Sequence, residues 1–238
     1  MKTTITFTLI ALLFTSCIAT NGQSRYATDQ FDVAPFTAIE SSVVANIEIR
    51  QSSTTSVTAE GSERLLDILE VRMDGNKLVL DMEDRLLRKQ KNNADKLTIT
   101  ITTPDLSRID SEGVGNIEIL GTFATPELQI DSDGVGNLRA NDLDAGFTRV
   151  SSEGVGNITL GGKADRVEIR SEGVGNVNAS KLVSRSATVS SEGVGNVSCH
   201  ASEYLKVRSD GIGSVTYYGK PGETDLSKNG IGRIKAGD

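Results

Sequence analysis

The chain has 238 residues, 37% of them apolar, with 24 glycines and a formal charge of −7, which is enough chain for one domain with its own core. Aromatic residues make up only 4%, with no Trp, so a base-stacking platform for nucleic acid is not expected, and the acidic balance speaks against a general polyanion-binding surface.

Lys2 and the apolar residues 5–14 form a targeting segment, too short to cross a membrane as a helix. It closes on Leu13-Phe14-Thr15-Ser16-Cys17, similar to the lipobox that precedes a lipidated cysteine, although Phe14 stands where Leu is usual. The expectation is a signal peptide over 1–16, lipid attachment at Cys17 and a tether over 17–30. The competing reading is removal by an ordinary signal peptidase near Ser24. A multiply acylated Cys17 would hold the protein in the cell envelope, as an outer-membrane lipoprotein. No long apolar run follows residue 17, so the anchor would be the only membrane attachment.

Residues 31–238 read as one domain, with irregular coils over 31–103 and regular ones over 104–238. In the first part, 42–49 looks like a worn copy of the later repeat. Strands are expected at 57–60, 69–73, 77–82 and 96–103, with Asp74-Gly75-Asn76 as a hairpin turn and a short helix over 62–69 starting at Ser62. Residues 84–95, carrying Arg85, Arg88, Lys89 and Lys91, read as an exposed basic loop.

From Ser111 onward the chain repeats itself. It reads SEGVGN at 111–116, SDGVGN at 132–137, SEGVGN at 152–157, 171–176 and 191–196, SDGIGS at 209–214 and KNGIGR at 228–233. Successive starts are 21, 20, 19, 20, 18 and 19 residues apart. Such a period marks one supersecondary unit stacked on copies of itself. Apolar residues stand two before each motif and six after its first residue, alternating with polar ones, which is the signature of strands with one buried face. The glycines mark corners. The fold expected is therefore all-β, a right-handed parallel β-helix (solenoid) with coils of about 20 residues rising about 4.8 Å each. The L-x-x-L-x-L frame of leucine-rich repeats and the hexapeptide of left-handed helices are both absent.

The expected interior includes Ile109, Val114, Ile117, Ile130, Val150, Ile158, Val189 and Val207. Asn116, Asn137, Asn157, Asn176 and Asn196 should pass amide hydrogen bonds from coil to coil, and Ser111 through Ser209 should do likewise. Lys228, Asn229 and Arg233 should end both ladders. Apart from Cys17 the one cysteine is Cys199, beside the sole histidine, His200. Neighbours on a strand face opposite sides, so a buried thiol is expected rather than a Cys–His pair.

The opening Phe36–Ile39, the V-x-x-N-I-E-I-R-Q strand at 43–51, the turn 74–78 and the S-E-G-V-G-N coils together resemble the head-GIN-domain family of auto-transporter adhesins of Bacteroidetes. The resemblance runs over about 31–219. It implies a β-helical, envelope-associated domain without established catalytic residues.

Three chemistries compete at the repeat. Glu112, Asp133, Glu153, Glu172, Glu192 and Asp210 would form a column in which neighbours repel by about 0.9 kcal/mol in bulk water. Hard oxygen ligands in a row are candidates for Ca²⁺, but the G-G-x-G-x-D frame of calcium repeats is missing, which favours a solvated stripe offset by Arg170 and Arg208. Phosphate binding needs a helix after the glycines, and here a strand follows. An enzyme of the polysaccharide lyase or hydrolase kind needs clustered acids on one face, whereas the column after the corner reads Glu118, Arg139, Thr159, Asn178, Ser198, Thr216, Lys235. The functional expectation is a non-enzymatic envelope protein, an adhesin or interaction platform needing no cofactor. Its partner would be an envelope or extracellular protein or glycan, not nucleic acid. The alternative is a carbohydrate-binding or carbohydrate-active β-helix.

Overall fold

The computed structural model describes residues 26–82 and 96–238. The expected signal peptide, Cys17 and the expected basic loop at 84–95 thus lie outside the described residues, whereas 26–30 of the expected tether is strand: β1 (Tyr26–Phe31).

The chain builds a parallel β-helix. One ladder precedes the glycine corners and joins β6 (Lys77–Met82), β2 (Ala38–Ser41), β8 (Arg108–Ser111) and β10 (Phe123–Ser132) in parallel. It continues through the second halves of β11 (Leu138–Ser152), β12 (Ile158–Ser171) and β13 (Val177–Ser191), then β15 (Tyr204–Ser209) and β17 (Glu223–Lys228). A second ladder follows the corners: β7 (Leu97–Thr103), β3 (Asn46–Gln51), β9 (Ile117–Leu120), the starts of β11 to β13, then β14 (Val197–His200), β16 (Val215–Tyr218) and β18 (Ile234–Ala236). In β11 and β12 the strand bends where the register shifts, at Ala140/Leu143 and Thr159/Gly161, and this turns the chain back towards the first ladder.

Side chains two apart fill the interior. In one coil Leu138, Ala140, Leu143, Ala145 and Val150 are all buried, and the columns continue as Ile158, Leu160, Val167 and Ile169 in the next. Ile109, Ile117, Ile130, Val189 and Val207 are buried as expected. Val114 is not: it is 48% exposed, and its equivalents up to Ile231 point outward with it. The reason is parity. The interior residues lie at even offsets from the motif Ser (−2 and +6), whereas the Val sits at +3, and a strand alternates its faces even through this corner.

Coils do not stack in chain order at the front. Residues 38–51 lie between the β6/β7 coil and the β8/β9 coil. The cause is the hairpin of β5 (Leu69–Asp74) and β6, which pairs Asp74 with Lys77 across Gly75-Asn76. Gly75 takes a φ of 61°, which suits a tight two-residue turn. The hairpin returns the chain on the far side of β2. There β4 (Ser56–Ser62) pairs antiparallel with both β7 and β1, so antiparallel strands cover the parallel edge that stacking would leave open. The expected helix is a single turn, α1 (Glu63–Leu66), whose Leu65 and Leu66 are buried; Ser62 precedes it without a side-chain capping bond.

Candidate functional site

Each S-[ED]-G-[VI]-G-N corner presents the same rung, and the backbone explains every position. In the coil starting at Ser152, the N–H groups of Glu153 and Gly154 both donate to the carbonyl of Ser132, at 3.0 Å each. The Val155 N–H reaches Gly134 O of the previous coil at 2.9 Å, while Gly156 N–H turns the other way, to Val174 O of the next coil at 3.0 Å. Gly156 has a φ of 156°, and a Cβ on it would lie 1.6 Å from Gly136 O; on Gly154 it would lie 2.1 Å from Gly134 O. Only glycine stacks here.

That leaves one donor, the N–H of Asn157, with no backbone acceptor. The side chain below supplies it: Asn157 N donates to Asn137 Oδ1 at 3.2 Å, and Asn157 Nδ2 donates to the same oxygen at 3.0 Å. The column starts at Asn46, where Asn116 donates to Oδ1, and runs through Asn176 and Asn196. It ends at Ser214, whose N–H donates to Asn196 Oδ1 and whose Oγ accepts from Arg233 N–H. The serine column works through its main-chain carbonyls, as at Ser132.

The outward faces of these rungs form three columns. Glu112, Asp133, Glu153, Glu172, Glu192 and Asp210 make the acidic one. Ser151 and Ser190 hydroxyls donate to Glu153 and Glu192, and Arg170 pairs with Glu172. Arg208 Nε donates to Asp210 Oδ2 at 2.6 Å, Asn229 Nδ2 donates to Asp210 Oδ1 at 2.9 Å, and these bonds hold the Asp210 carboxyl below the usual range. The columns thus keep one carboxylate per coil; among the described residues no three His, Cys, Asp or Glu side chains cluster as a metal site. The asparagines make the third column. Between them stand Val44, Val114, Val135, Val155, Val174, Val194, Ile212 and Ile231, joined rung to rung as parallel bridges and 40% to 72% exposed. Sequence reasoning missed this aliphatic column by placing it inside; the odd offset of the Val was the available signal.

Elsewhere, Arg108 bridges Asp110 and Asp131 at 2.8 and 2.6 Å. Burial pushes the Asp131 carboxyl up, against the pull of Arg108 and Gln129. A groove beside the amide column is lined by Asn46, Glu48, Asn116, Glu118, Asn137 and Arg139. Cys199 is fully buried and desolvation pushes its thiol up to about 12, so it is not an activated nucleophile. His200 lies on the opposite face, with its Nδ1 3.4 Å from Ser184 N–H.

The family described as "Putative auto-transporter adhesin, head GIN domain" matches residues 35–221. The chain belongs to this family. A putative adhesin from Bacteroides fragilis NCTC 9343 is 34% identical, with a TM-score of 0.86 over 90% of this chain and 98% of that one. A putative lipid binding protein from Parabacteroides distasonis ATCC 8503 is 20% identical (TM-score 0.68; 90% and 97% covered). A putative adhesin from Parabacteroides merdae ATCC 43184 is 19% identical (TM-score 0.66; 91% and 98% covered). These last two likenesses show the fold alone. No curated protein matches the chain. The head-GIN membership supports an adhesin-like protein of the cell envelope, and the β-solenoid is the form that this chain gives it.

Proposed function

We propose that this head-GIN protein is a lipid-anchored, non-enzymatic interaction platform of the outer membrane, holding a rigid β-helix away from the bilayer for adhesion to an envelope or extracellular partner. The observation that carries the proposal is the uniformity of the corner: the same acidic, aliphatic and amide rung recurs from Val114 to Val194, and among the described residues no coil gathers its own cluster of acid, base and nucleophile. A repeated surface of this kind suits recognition along a length rather than chemistry at a point. Cys17 would carry the lipid, with 18–25 as the link to β1.

Metabolic labelling with a clickable fatty acid, combined with protease accessibility on intact cells, tests it. The expected result is label on the wild type, none on Cys17→Ser, and cleavage of the labelled protein by external protease. An unlabelled wild-type protein beginning near Arg25 would replace the anchored platform with a freely exported one. Label without external cleavage would turn the platform towards the periplasm.

A further inference from the structure

The corner facet carries an unpartnered apolar column. Val44 through Ile231 stand one per coil at 40% to 72% exposure, and from Val114 onward the glycines on either side have no side chains to shield them. At roughly half exposure each, they leave on the order of 600 Å² of aliphatic surface in one line, at the top of what a single monomer ordinarily exposes. Doubled across two molecules, that is about 1,200 Å², the lower bound of a specific interface.

We propose that this facet is a self-association surface on which two copies lie side by side and parallel, valine column on valine column. The flanking columns choose both the occupant and the direction. A two-fold axis parallel to the solenoid sets the acidic column of each copy against the amide column of the other. It keeps heights equal, so Glu153 faces Asn157 of its twin, Glu172 faces Asn176 and Glu192 faces Asn196. Each asparagine amide has a second N–H beyond the one it places in its own ladder, and a carboxylate oxygen accepts it. At the ends Ser42 meets Asn46, and Asn229 meets Arg233, so no rung of the facet opposes like charges. An antiparallel pair would instead place carboxylate against carboxylate along its length, which costs stability and excludes that arrangement. The matching repeat gives the rungs from Glu112/Asn116 to Glu192/Asn196 the same carboxylate–amide pair. The acidic column also makes an anionic lipid surface the poorer occupant.

The test uses the full chain in a Cys17→Ser background, where the remaining thiol, Cys199, is fully buried. Sedimentation equilibrium should show a monomer–dimer equilibrium in the micromolar range. Val155→Lys with Val174→Lys, both on outward positions, should make the protein monomeric with an unchanged circular dichroism spectrum. Single Val114→Cys and Ile212→Cys variants, at rungs near opposite ends, should each form a disulfide with their own twin under mild oxidation, because a parallel axis brings equal rungs together. Protein that stays monomeric into the high micromolar range, a dimer that survives the lysines, or cross-linking at neither end would overturn the proposal. Valine-dependent flotation with phosphatidylethanolamine–phosphatidylglycerol vesicles would overturn it too, by giving the column to a lipid surface.

Discussion

Asn137 Oδ1 accepts two hydrogen bonds from Asn157, one from its main-chain N–H at 3.2 Å and one from Nδ2 at 3.0 Å. This pairing closes the backbone hydrogen bonding of the corner, because the glycine before each Asn has turned its own N–H to the next coil. The side chain is therefore part of the ladder rather than an ornament on it.

Asn157→Ala should lower stability by about 1–2 kcal/mol, since it removes an acceptor for Asn176 and a donor to Asn137 in an exposed setting where water partly substitutes. Asn157→Asp keeps the acceptor and should cost less. Urea unfolding of the three proteins measures the order; an aspartate variant less stable than the alanine one would contradict the acceptor role.

The two kinds of glycine should behave differently. Gly156→Ala drives a Cβ onto Gly136 O at a positive φ and should cost more than about 4 kcal/mol or prevent folding. Gly75→Ala also sits at positive φ but meets nothing within 4 Å, so a loss of about 1 kcal/mol is expected. Expression yield and thermal melts of both variants read this directly.

Acid should loosen the last coils. Asp210 is held below its ordinary pKa by Arg208 and Asn229, so its contribution is present above the unfolded value, near 3.9, and is lost as pH falls through the folded one. Asp131 runs the other way: its carboxyl is raised by burial, so its ionisation opposes folding at neutral pH and protonation relieves this. Asp210→Asn should thus melt slightly below the wild type at pH 7 and together with it near pH 2. A gap that persists at low pH would mean the substitution acts through something other than the charge.

Calcium should change little. The corner carboxylates lean on Arg170, Arg208, Ser151 and Ser190 rather than converging, and only a site on the native state shifts a melt. Scans with millimolar Ca²⁺ and with chelator should coincide. A large upward shift abolished by Glu153→Gln with Glu172→Gln would make the acidic column a metal ladder.

Much of this architecture was legible because it is periodic. Ile130, Val150, Ile169 and Val189 recur at the same place in each repeat, and Asn116 to Asn196 announce a ladder by their invariance. Two things were hidden. The inverted order of the front coils depends on a hairpin returning below β2, a long-range choice that Gly75-Asn76 alone does not specify. Val43 and Ala45, buried where later corners carry glycine, mark that coil as one not stacked on a glycine corner, and this was the trace it left. The second, the outward valine column, was lost by treating every Val as core instead of counting its offset from the serine.

The central claim is that, around the glycine corner, the positions two before and six after the motif serine build the interior and the Val or Ile three after it stands on the displayed facet. Paired unfolding measurements on Val189→Asp and Val174→Asp test it most directly, with both measured below the concentration at which copies associate. Val189 is 1% exposed and Val174 52%. The account predicts that Val189→Asp loses several kcal/mol or fails to fold, through an unpaired buried charge, while Val174→Asp unfolds within about 1 kcal/mol of the wild type. Equal losses, or the reverse order, would contradict it.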